Sequence, residues 1–65
     1  MTAKELENFL YKLDWSNKES SINLGVSERN VYYWLSGKRK IPLYIEKSVM
    51  VNLKLKEAMN NVHSD

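Results

Sequence analysis

The spacing of helix start and stop signals constrains this chain more than any other feature. Thr2 followed by Glu5, and Ser16 followed by Glu19, are capping-box patterns, in which a hydroxyl and a carboxylate three residues apart each accept from the other's backbone N–H. Ser27 is a third N-cap, and Gly25 and Gly37 stand where helices close in a left-handed residue. Pro42 suits the first turn of a further helix. One Pro, two Gly and no alternating β-branched run make the chain read as all-α. The signals predict a helix over about Ala3 to Leu13 and a short one from the Ser16 cap to Asn23 or Leu24. A third runs from the Ser27 cap to about Ser36, and a last from Leu43 to about Asn60. Asn52 is the one position where that last helix could break, so the architecture has four to five helices.

The apolar residues fit those helices. Leu6, Phe9, Leu10 and Leu13 form an i, i+3, i+4, i+7 stripe, and Trp15 stands where a hydrophobic staple residue precedes a cap. Val31, Trp34 and Leu35 give the third helix an inward face. The last helix carries two stripes: Ile45, Val49 and Leu53 on one side, and Tyr44, Val51, Leu55, Met59 and Val62 on another. Met50 and Met59 read as packing residues. A surface helix of one small domain needs a single stripe. The second therefore predicts the interface of a symmetric homodimer, unless a break at Asn52 folds it back onto its own domain.

Sixty-five residues allow one domain, residues 1–65, with a small core. The absence of cysteine removes disulfides, thiolate catalysis and cysteine-ligated zinc. No apolar run approaches the roughly 20 residues that span a bilayer, and Met1 to Leu13 lacks a signal-peptide core, so a cytoplasmic protein without a membrane partner is expected. His63 is the only histidine and sits in the tail, where it reads as inert. No Gly-rich phosphate loop is present, and the carboxylates are scattered. The expectation is therefore no enzyme, no metal, no cofactor and no small-molecule effector.

Charge is distributed unevenly. Ser16 to Lys47 holds six basic and three acidic residues, a net +3, while the rest of the chain carries −1. That excess suits an anionic partner. On the third helix, stepping about 100° per residue from Glu28 places Arg29, Tyr32, Tyr33 and Ser36 together on an outward face. Some nine helical residues are roughly 14 Å long and fit a major groove about 12 Å wide. Two short helices around Leu24-Gly25-Val26 have the spacing of a helix-turn-helix, placed at residues 16–36.

The stretch WSNKESSINLGVSERNVYYWLSGKRKIP, Trp15 to Pro42, resembles the Cro/phage-repressor (XRE-like) helix-turn-helix family. The matching positions are Ser16, Glu19, Leu24, Gly25, Val26, Ser27, Val31, Trp34, Gly37 and the basic Lys38-Arg39-Lys40. They span a little under half the chain. The resemblance implies a compact lambda-repressor-like DNA-binding domain. The Gly37-Lys38-Arg39-Lys40-Ile41-Pro42 transition is also similar to small anti-CRISPR-associated repressors. There are departures. Asn17 stands where the family has a phosphate-bracing Gln, and Ser20 and Ser21 replace Leu-Ala, so helix 2 packs through smaller, more polar groups. Leu35 stands where the family has a Glu, and Leu10 near the place of its Arg partner, which implies an apolar contact in place of the ion pair.

Within that motif each exposed residue carries a role beside a plainer one. Arg29 suits a bidentate pair with guanine O6 and N7. Glu28 either accepts from cytosine N4 or simply favours the first turn through the helix dipole. Tyr33 is set to meet a thymine methyl or a phosphate, Tyr32 a phosphate, and either can instead be partly packed. Asn30 either reads adenine or assists the Ser27 cap. Lys38, Arg39 and Lys40 suit phosphates that position the domain, as in the family's loop, or form an ordinary charged loop. Ser16 and Asn17, with Lys18 beside them, sit at a helix N-terminus that offers N–H groups to a phosphate. Ser27 and Ser36, at the two ends of the third helix, join the phosphate-facing set. The function expected is a dimeric repressor reading a palindromic operator in double-stranded DNA. The alternative is a protein-interaction module, antitoxin-like or adaptor, that keeps the fold without reading DNA.

Overall fold

A computed structural model describes residues 1–62, with side chains through Met59; the Val62 side chain and His63 lie outside the described residues. The described residues form four α-helices and no strand: α1 Ala3–Leu13, α2 Asn17–Leu24, α3 Glu28–Leu35 and α4 Leu43–Val62.

Both capping boxes form. Glu5 N–H donates to Thr2 Oγ1 at 3.1 Å while Thr2 N–H donates to Glu5 Oε1 at 2.7 Å. Glu19 N–H and Ser16 Oγ, and Ser16 N–H and Glu19 Oε1, are 3.1 and 2.9 Å apart. Ser27 accepts from Asn30 N–H at 3.2 Å. Gly25 ends α2 at φ 70°, a region where any Cβ is strained. α1 ends instead on Asp14, a non-glycine residue at φ 61°, whose N–H and that of Trp15 satisfy carbonyls of the last turn. No glycine marks that stop, so its left-handed conformation could not be read in advance.

Leu6, Leu10 and Leu13 of α1, Val31 and Trp34 of α3, and Ile45 and Val49 of α4 form the buried core. Phe9, Trp15, Leu24, Val26, Leu35, Ile41 and Leu53 pack half-buried around it. Each wholly buried aliphatic side chain contributes about 1.5–3 kcal/mol. Leu10 is buried in this cluster and Leu35 is half-buried against it. α2 supplies no buried apolar residue. Its buried positions are Ser20 and Ser21; Ser21 Oγ donates to the Lys18 carbonyl at 2.6 Å, and Ser20 Oγ has no partner among the described residues.

Two contacts orient α1 against α4. The Met1 ammonium lies 2.8 Å from Glu46 Oε1, and Lys56 Nζ lies 3.0 Å from the Lys12 carbonyl. The helices therefore run parallel, with the last turns of α4 beyond the end of α1. At 20 residues and 1.5 Å per residue, α4 is about 30 Å long.

α4 does not break. Asn52 Nδ2 donates to the Ser48 carbonyl at 2.8 Å, so the side chain that competes with helix is satisfied within it. The fold-back alternative is thereby overturned. Ile45 and Val49 are buried and Leu53 half-buried, whereas Tyr44, Val51, Leu55 and Met59 are exposed at 64, 55, 58 and 64%. Met50 and Met59, expected to pack, are exposed in this chain because they fall off the stripe that faces α1 and α2. Among the described residues, no helix is long and apolar enough to cross a membrane.

Candidate nucleic-acid interface

Three short-range devices set the geometry of the region from Ser16 to Lys40. The Ser16 box fixes where α2 begins, Gly25 turns the chain, and Ser27 starts α3 three residues after α2 ends. Val31 and Trp34 then bury one side of α3 and fix its rotation. The opposite side must face outward, and it is polar. Glu28, Arg29 and Tyr32 are exposed, Asn30 and Tyr33 half-buried. Ser36 is the residue that ends α3 and lies outside its helical span. At eight residues, α3 is about 12 Å long.

The chain then reverses over Gly37, at φ 80°, into an exposed run of three cations, Lys38, Arg39 and Lys40. Tyr33 organises this run. Its carbonyl accepts from the Ser36 hydroxyl at 3.1 Å, Lys38 N–H at 2.9 Å and Arg39 N–H at 3.3 Å. Its ring has Lys38 Nζ 5.7 Å and the Arg39 guanidinium carbon 5.1 Å from the centroid. Tyr32 lies beside it, centroid to centroid 6.3 Å at a 56° tilt. Tyr33, Lys38 and Arg39 together line an open cleft of about 280 Å³.

Among the described residues the ion pairs are Met1 with Glu46 and Lys4 with Glu7. Lys18, Arg29, Lys38, Arg39 and Lys40 therefore have no carboxylate within 4.0 Å there. At the start of α2, Ser16, Asn17 and Lys18 are exposed, as is Ser27 at the start of α3. Glu19 is held below its ordinary pKa of 4.5, chiefly by the Ser16 backbone N–H it accepts from, so it stays a carboxylate beside that N-terminus. Among the described residues, no three His, Cys, Asp or Glu side chains gather to hold a metal ion.

Sequence reasoning placed the outward face of α3 and the basic loop separately. It missed that Tyr33 ties the two together. The signal was an aromatic residue five positions before a Lys-Arg pair, with a glycine between them, and nothing in helical periodicity weighs such a pair. Ile22, 68% exposed on α2, also went unmarked. Comparison of the chain with family models, curated proteins and solved structures finds no match.

Proposed function

We propose that this chain is a sequence-specific, double-stranded-DNA-binding transcriptional regulator of the Cro/phage-repressor type. In this reading residues 16–36 form a helix-turn-helix. α3 enters the major groove with Arg29 and Glu28 at base edges, and the loop from Lys38 to Lys40 holds backbone phosphates. α4 presents Tyr44, Val51, Leu55 and Met59 to a second copy, giving a dimer whose recognition helices meet half-sites about 34–36 Å apart. Repression would follow from occupying an operator that overlaps a promoter.

One observation carries the reading. α3 turns an Arg- and Tyr-bearing face outward, and the segment that follows it delivers three exposed cations without a carboxylate partner among the described residues. A solvated helix gains nothing from leaving such charge unneutralised, whereas a polyanion releases counterions on meeting it. The exposed apolar face of α4 favours one other reading, a protein-interaction module that does not read DNA. Selection from random duplexes with the purified protein separates them. A palindromic motif is expected; no enrichment at low salt would leave the interaction module.

A further inference from the structure

Two cations have been brought to one aromatic ring. The Lys38 ammonium and Arg39 guanidinium repel each other, yet both lie near the Tyr33 centroid, at 5.7 and 5.1 Å, in a cleft lined by these three residues. The ring quadrupole offsets part of the repulsion. The backbone fixes the approach, because both residues also donate their N–H groups to the Tyr33 carbonyl.

We propose that Tyr33, Lys38 and Arg39 form a preorganised seat for a single phosphate group. Lys38 Nζ and the Arg39 guanidinium are the donors, and Tyr33 is the residue that positions them. The seat rests on the DNA-binding reading for its occupant, a backbone phosphate of the duplex beside the end of α3. Tyr33 then serves affinity rather than base choice. Arg39 supplies the fork that matches two phosphate oxygens, and Lys38 a point charge. Because the seat exists before DNA arrives, less side-chain ordering is needed on binding.

The test uses two probes on the same variants. In the first, inorganic phosphate is titrated against chloride at constant ionic strength, following Tyr33, Lys38 and Arg39 by NMR. In the second, duplex affinity is measured across a salt series. Phosphate should shift all three residues in the wild type and in Tyr33→Phe, which keeps the ring, and not in Tyr33→Leu. Tyr33→Leu should weaken every duplex about fivefold, without changing the preferred site, and reduce the log–log salt slope by up to about one. In a Lys38→Gln/Arg39→Gln background the same change should cost nothing further. That double variant alters an exposed loop, and its loss of the phosphate shifts tests the seat even if Tyr33→Leu fails to fold.

The seat is overturned if phosphate leaves the three residues unshifted, if Tyr33→Phe is as weak as Tyr33→Leu, or if Tyr33→Leu changes the preferred base pair with the slope intact. Duplex binding by the wild type would still stand in each of those cases. If phosphate occupies the cleft but no duplex binds, the DNA-binding reading fails and the seat survives.

Discussion

Lys56 donates from its ammonium to the main-chain carbonyl of Lys12, 3.0 Å away and 44 positions earlier in the chain. The last carbonyls of a helix lack intrahelical partners and carry the negative end of its dipole. A lysine from α4 thus closes the end of α1, and with Met1 and Glu46 at the other end it holds the two helices parallel.

Lys56→Met should therefore lower unfolding free energy by about 0.3–1 kcal/mol, the range for a cation at a helix C-terminus. Lys54→Met, on an exposed neighbour without such a bond, should leave stability unchanged. Urea denaturation of the two variants checks this, and equal effects would show the contact to be worth nothing.

Ser20 is fully buried and its hydroxyl has no partner among the described residues, so it withdraws a polar group from water without return. Ser20→Ala removes that cost and adds helix propensity, and should stabilise by about 1–2 kcal/mol. Ser21→Ala loses the bond to the Lys18 carbonyl and should gain less. A lower melting temperature for Ser20→Ala would refute the cost assigned to its hydroxyl.

Acid should weaken the helix starts. Glu5 and Glu19 have pKa values held below their ordinary 4.5, chiefly by the Thr2 and Ser16 backbone N–H groups they accept from. A lowered folded-state pKa stabilises fully above the ordinary value and is lost as pH falls through the folded one. Glu19→Gln keeps a capping side chain without the charge. Its melting temperature should lie below that of the wild type at pH 7, and the gap should close as pH falls below 4.5 through the lowered value. A gap unchanged in acid would place the contribution elsewhere.

Arg29 stands exposed on α3, one turn before Tyr33. Under the DNA-binding reading, Arg29→Ala should cost about 1–3 kcal/mol on the selected site and relax preference at one base pair. Glu28→Gln should alter which base is preferred more than it alters affinity. Competition binding against single-base variants of the site measures both. A loss from Arg29→Ala that is equal on every sequence would make it a phosphate contact.

Leu55 is 58% exposed on α4, in line with Val51 and Met59. If α4 pairs two copies as proposed, Leu55→Asp should leave a folded monomer with weakened operator binding. Sedimentation velocity and circular dichroism decide it: a variant that stays dimeric, or that unfolds, removes this face as the interface.

What the sequence determined by itself is whatever acts within about one helical turn. Thr2 with Glu5, Ser16 with Glu19, Ser27 with Asn30, and Gly25 at positive φ are settled between near neighbours. Three helix starts and the turn between α2 and α3 were therefore legible. So was the outward polar face of α3, because Val31 and Trp34 leave it no other direction. Tertiary structure decided what neighbours cannot. The two apolar stripes of α4 compete for one core, and contact with α1 and α2 selects Ile45, Val49 and Leu53 over Tyr44, Val51 and Leu55. The parallel run of α1 and α4 depends on partners more than 40 residues apart. Burial of Ser20 follows from how the helices meet rather than from local preference. The gathering of Lys38 and Arg39 at Tyr33 arises only once Gly37 has reversed the chain, because electrostatic attraction acts through distance in space and periodicity along a helix does not encode it.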